Sequence, residues 1–245
     1  MQIQNTLPML PLLAMLLTTG CSQQAGRMAG SNTNRAEKPE IVDKRTAVLQ
    51  DAQKKREART QALRSMDVPH LALELEADSN KGVEPFNSLA FAETISRGKD
   101  VAGTLAPAIT KPDRSSLLGL LALRRIGPDN YHQLSADLRV NILIDALKSS
   151  EHFNTWGMPH LSWEEGAKAI IEEGRAADKQ LTALLTDKRP APVWGSEGFL
   201  EYQRYQYRVC DYAWALLNEI KGQKVQIPED PAARDRLETG SGKPG

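Results

Sequence analysis

The sequence predicts an all-α protein, an array of short helical hairpins set behind a charged N-terminal helix. Three observations predict it. Beyond residue 67 apolar residues recur with helical periodicity almost without interruption. The periodic runs are separated by short connections holding Gly, Pro, Asp or Ser, the residues that start and stop helices. Part of the chain also repeats: Gly98, Leu105, Ile109 and Thr110 recur as Gly174, Leu181, Leu185 and Thr186, each 76 positions later (174 − 98 = 76). That spacing holds two helical hairpins.

The first residues, MQIQNTLPMLPLLAMLLTTGCS, carry an uncharged apolar run from Leu7 to Leu17. It is too short to span a bilayer core, which needs about 20 residues, and fits the apolar region of a signal peptide. Thr18, Thr19 and Gly20 lead into Cys21, and this arrangement resembles a bacterial lipoprotein signal. The resemblance implies cleavage after residue 20 and acylation of Cys21, with more than one fatty acyl chain (such as palmitate) giving a stable membrane anchor. It departs from the usual pattern in Thr18, where leucine is common, and in having no Lys or Arg before the run; a start upstream of Met1 would supply one. An ordinary secretory signal is the plainer alternative. By analogy with Gram-negative sorting, Ser22 favours the outer membrane, so the expected location is the bacterial cell envelope, facing periplasm or cell surface.

Residues 21–37 are polar, small and aperiodic and read as a flexible, lipidated tether with a reach of about 20–25 Å. Residues 38–66 read as a charged helix opened by Pro39, with Ile41, Val48, Ala52 and Leu63 as a thin apolar stripe. Its basic residues, Lys44, Arg45, Lys54, Lys55, Arg56, Arg59 and Arg64, suit either a solvated stalk or coiled coil, or a face resting on anionic lipid. Asp67 is placed to cap the next helix, although the alternation of Leu71, Leu73 and Leu75 leaves a strand open. Helical segments then follow to residue 222, and the 67–222 stretch is taken as one domain. Residues 223–245 lose the apolar pattern and read as a mostly disordered tail with one short helix from Asp230 and Pro231.

Over roughly residues 86–222 the chain resembles a HEAT-type α-solenoid: an apolar helix, a short turn with Asp or Pro, and an Ala/Leu-rich partner helix. LLALRRIG ending at Gly127 and WALLNEIKG ending at Gly222 are the matching partner helices, with 18 extra residues in the second copy (220 − 126 = 94, against 76). The extra residues include DKRPAPVWGSEG. Ankyrin and tetratricopeptide signatures are absent. The resemblance implies a curved surface for protein partners and no particular reaction.

Two stretches stand out for function. In FNTWGMPHLSW, Ser162 and Glu165 have capping-box spacing, predicting a helix from Ser162 and placing residues 153–161 in a loop bent by Gly157 and Pro159. Trp156 and Trp163 are read as plugs over that joint. In DKRPAPVWGSEGFLEYQRYQYRV, Pro190 and Pro192 hold an extended segment, and Tyr202, Arg204, Tyr205 and Arg208 share neighbouring helical positions. They form either a recognition surface or a partly core-facing stripe with Arg204 paired to Glu201. Trp156, His160, Trp163, Trp194, Tyr205 and Arg208 are the candidate binding residues, with Trp156, His160, Trp194 and Tyr205 lining one groove.

Chemistry beyond binding is weakly signalled. Lysine plus arginine and aspartate plus glutamate balance at 31 each, which argues against nucleic acid as a partner. His152, His160, Glu164 and Glu165 lack the spacing of a metal site, so no metal or cofactor is expected. No nucleophile elbow accompanies His160 as a base. Cys210, alone after Cys21, reads as a small buried hydrophobe. The expectation is a membrane-anchored binding or scaffolding module with a protein partner in the envelope, more binding module than enzyme. The alternative is a hydrolase or carbohydrate-binding protein using the Trp/His groove.

Overall fold

A computed structural model describes residues 39–238 of the chain. The signal, tether and Cys21 lie outside the described residues. The chain divides into two units, residues 1–47 and 48–245. Of the first, the described part is helical and belongs to α1 (Pro39–Ser65).

In the second unit the rest of α1 is exposed from Val48 to Arg59 and meets the core through Leu63. Its C-terminal carbonyls are held by one cation: Arg97 donates to Met66 O at 2.8 Å and to Leu63 O at 2.7 Å. A guanidinium there complements the negative end of the helix dipole. Asp67 then caps α2 (Val68–Asn80) by accepting from the His70 N–H. The Leu71, Leu73, Leu75 alternation resolves as helix, because Leu71 and Leu75 are buried four apart while Leu73 faces solvent.

The fold is all-α. After α2 come α3 (Leu89–Arg97), α4 (Ala102–Leu105), α5 (Leu117–Ile126), α6 (Pro128–Gln133) and α7 (Ala136–Ser149). A hairpin of β1 (Gly157–Met158) and β2 (Ser162–Trp163) precedes α8 (Glu165–Glu173) and α9 (Asp178–Leu184). The chain closes with α10 (Ser196–Tyr205), α11 (Val209–Ile220) and α12 (Pro231–Glu238).

The repeat read from four residues extends to whole elements. Helix α3 and the 3₁₀ turn Gly98–Val101 correspond to α8 and the 3₁₀ turn Gly174–Ala177 at the same offset, 165 − 89 = 76. Both turns begin on a glycine with positive φ, 65° at Gly98 and 58° at Gly174. A side chain is strained there, so glycine ends both helices. In the first copy α5 packs on α2 and α3; in the second α11 packs on α8 and α9.

One expectation needs correction. Ser162 does not start a helix: Ser162–Trp163 pairs antiparallel with Gly157–Met158, and α8 begins three residues later behind Glu164. The local capping signal loses because Gly157, at φ 84°, folds the backbone against Ser162 O and Glu164 N, where a Cβ would sit at 2.3 and 2.7 Å. The short helix expected after Asp230 is present as α12, and its Arg234 is buried and donates to the carbonyls of Tyr205 at 2.8 Å and Pro228 at 2.7 Å.

Candidate functional site

The loop that leads into the hairpin, at Phe153 and Asn154, binds the proline-stiffened segment before α10, and the hairpin and that segment are both peculiar to the second copy. Phe153 N–H donates to Pro192 O at 2.8 Å. The Asn154 amide grips Trp194 from both sides, accepting from its N–H at 3.0 Å and donating to its carbonyl at 2.6 Å. Residues 189–191 also pair with 207–209, through Ala191 N–H to Tyr207 O at 2.8 Å and Val209 N–H to Arg189 O at 3.0 Å. Proline suits this segment, whose backbone stays extended while its outer edge needs no donor.

The candidate residues separate into buried and exposed sets. Trp156 is 0% exposed, packed on Gly166, with its indole N–H given to Ser150 Oγ at 2.9 Å. It is a core residue and lines no groove. Tyr205 is buried between His160 (4.1 Å between centroids) and Tyr207 (5.1 Å), so it too is withdrawn from the surface. Trp163 is half-buried beside Tyr212. Arg208 caps α11 and pairs with Asp211 and Asp235, each at 2.8 Å. Arg204 pairs with Glu229 rather than Glu201. Trp194 alone of the six is exposed, at 52%, stacked on Phe199 and donating its indole N–H to His152 Nδ1 at 2.6 Å. The single groove predicted for Trp156, His160, Trp194 and Tyr205 is therefore not formed, although their two segments do meet.

His160 illustrates what the arrangement can do. Its Nδ1 lies 2.6 Å from the Tyr207 hydroxyl and its Nε2 3.1 Å from Glu201. The Glu201 carboxylate can only accept, so Nε2 carries the hydrogen toward it and, in the neutral ring, Nδ1 accepts from the Tyr207 hydroxyl. Burial lowers the His160 pKa, against the opposing pull of Glu201. Both ring nitrogens are thus spent on the protein, which makes His160 a bridge between hairpin and α10.

Sequence reading missed the buried charges behind this bridge. Asp211 and Arg234 are both fully buried and ion-paired at 3.0 Å, and Arg208 closes the pair on its other side. Burial alone would raise the Asp211 carboxyl, but the two guanidiniums hold it below its ordinary value. Cys210 is buried beside it. A second set joins Arg139, Glu173 and Tyr131, with Arg139 donating to both Glu173 oxygens at 2.7 and 2.8 Å. Both sets fasten helices.

Two concave regions lie between the first loops of the two copies. One is a polar cavity of about 180 Å³ beside Glu84, Arg114 and His152. Arg114 bridges the C-termini of α2 and α7, donating to Asn80 O at 2.8 Å and Ser149 O at 3.1 Å, while desolvation raises the Glu84 carboxyl. The other is an open groove of about 670 Å³ walled by Phe86, Phe91 and Ile95 on one side and Asn154, Thr155 and Glu164 on the other. Among the described residues no group of three or more His, Cys, Asp or Glu could hold a metal ion, and no helix is long and apolar enough to cross a membrane.

No family model, curated protein or solved structure matches this chain.

Proposed function

We propose that the chain is a lipid-anchored binding or scaffolding module of the bacterial envelope, held to the membrane by acylated Cys21, with its helical repeats arranged as a HEAT-like solenoid. The observation that carries the binding role is the contrast at the two insertions: His160 has both nitrogens engaged by the protein, while Trp194 is held outward by Asn154 and His152. A rigid, half-exposed tryptophan supplies contact area at little entropic cost. The hairpin-scale repeat at a spacing of 76 (174 − 98) supports the solenoid arrangement.

The anchor is tested by metabolic labelling with a fatty acid. Cys21→Ser abolishes labelling and releases the protein from the membrane fraction; persistence of the label defeats the anchor. The binding role is tested by in-cell crosslinking, where Trp194→Ala removes a stoichiometric adduct formed by the native chain. Saccharide binding is the second reading, favoured by the same exposed indole. It predicts retention of the native chain, but not Trp194→Ala, on immobilised envelope glycan.

A further inference from the structure

The two copies share a short motif that the 76-residue offset conceals. Phe86-Asn87-Ser88 recurs as Phe153-Asn154-Thr155 at an offset of 154 − 87 = 67. Each stretch sits at the N-terminus of its copy's helix: Ser88 Oγ accepts from Phe91 N–H of α3 at 3.0 Å, and Thr155 O accepts from Gly166 N–H of α8 at 2.9 Å. The rise from 67 to 76 is the hairpin, nine residues inserted after Thr155.

The motif is used differently in the two places. In the second copy it holds an extended peptide, the chain's own Pro190–Trp194, through the Phe153 N–H and the two-sided Asn154 amide. An asparagine paired to both backbone groups of one residue reads main chain, so it accepts many sequences provided they are extended. Phe153 is 0% exposed there, whereas Phe86 is 69% exposed and lines the 670 Å³ groove, and the adjacent Asn87 is exposed with its amide donating only a long 3.5 Å hydrogen bond to Glu84. In the first copy residues 106–116 join α4 to α5 through two short 3₁₀ turns, and among the described residues no hydrogen bond from this connection reaches Phe86 or Asn87, unlike the proline segment that covers the motif in the second. The groove's charged lining is Glu164, Glu165 and Arg125, an excess of one negative charge, and Lys188-Arg189 precede the internal peptide's first proline.

We propose that Phe86 and Asn87 form a binding site for an extended, basic, proline-containing segment of a partner protein, gripped as the chain grips its own Pro190–Trp194. Phe86 supplies the apolar contact and the Asn87 amide reads the backbone. Glu164 receives a basic residue preceding the proline. Proline holds the segment extended before binding, which reduces the ordering cost. This rests on the reading of the chain as a binding module and gives that module a ligand class.

The test uses the full chain in detergent and a fluorescent peptide with the sequence of residues 187–195, DKRPAPVWG. Saturable binding is expected, weakened about tenfold or more by Phe86→Ala and by Asn87→Ala. It also weakens with added salt, and is lost when both peptide prolines become glycine. Both side chains are exposed, so the variants keep the native circular dichroism and melting temperature. Absence of saturable binding, or binding that both variants retain, overturns the proposal. So does binding that responds to Asn154→Ala alone, which would mean that the peptide displaces the internal segment. Self-association of the full chain that Phe86→Ala abolishes would assign the groove to a second copy and also overturn it. Fatty-acid labelling of Cys21 is independent of every outcome, so failure here is distinguishable from failure of the anchored-module reading.

Discussion

The two copies use one helical plan to different ends. The first, α2 to α5, is spare, with no strand hairpin and an exposed Phe86. The second, α7 to α11, carries a hairpin and an added helix, and spends them on itself: Phe153 is covered, His160 is bridged and Asp211 is neutralised from two sides. The extra segments cover surface in the second copy that the first leaves open. Under the proposed reading as a binding module, the uncovered surface of the first copy is the one a partner would use.

Substitutions can break or sharpen this contrast. The largest expected difference is between the two phenylalanines. Phe153→Ala removes a buried ring packed 4.8 Å from Tyr212 and is expected to cost about 3–5 kcal/mol by urea denaturation. Phe86→Ala is expected to stay within about 0.5 kcal/mol; equal costs would erase the distinction. Next, Gly157→Ala strains a backbone at φ 84° and drives a Cβ toward Ser162 O, a loss of more than about 1 kcal/mol. Gly98→Ala and Gly174→Ala share positive φ but meet nothing nearby, so they report the backbone strain alone. Asn154→Ala is expected to cost about 1 kcal/mol and to raise hydrogen exchange at Trp194, with α2 and α3 unaffected.

The smallest effect is a pH dependence. Because the folded His160 pKa lies below its ordinary value, the unfolded chain binds the proton first, and this contribution to stability is lost as pH falls from about 6.5 through the lower folded pKa. The facing groups, Glu201, Arg204, Glu229, Tyr205 and Tyr207, set its size. His160→Gln is expected to flatten the melting temperature between pH 7.5 and 5; an unchanged slope would remove His160 from the account.

How much was legible depended on whether the deciding contact was local. Asp67 capping α2 and the glycines ending α3 and α8 are choices made within one turn of helix, and each stands in the sequence. The Ser162 to Glu165 spacing is equally local, yet it yielded to a hairpin fixed by Gly157 and by Tyr212, whose hydroxyl donates to Gly157 O from 55 positions away. Trp156 looks like a surface tryptophan among Gly, Pro and His until Gly166 is seen beneath it. The polar run PAARDRLE of α12 gives no hint that its first arginine, Arg234, is fully buried. The shared Phe-Asn motif escaped notice because the inserted hairpin shifts its offset from the one the glycines show.

The position of Arg234 has a consequence for how the molecule comes into being. Asp211 is enclosed with its charge, and one of the two cations that make this tolerable arrives on the last helix described, 23 positions later (234 − 211 = 23). A chain made or threaded from its N-terminus can settle α2 to α5 while the remainder is still emerging, but the far end waits for its final helix. A copy cut short before Arg234 keeps only Arg208 on the buried Asp211 and leaves the Tyr205 carbonyl without its donor, so the second copy is expected to be the part that loosens.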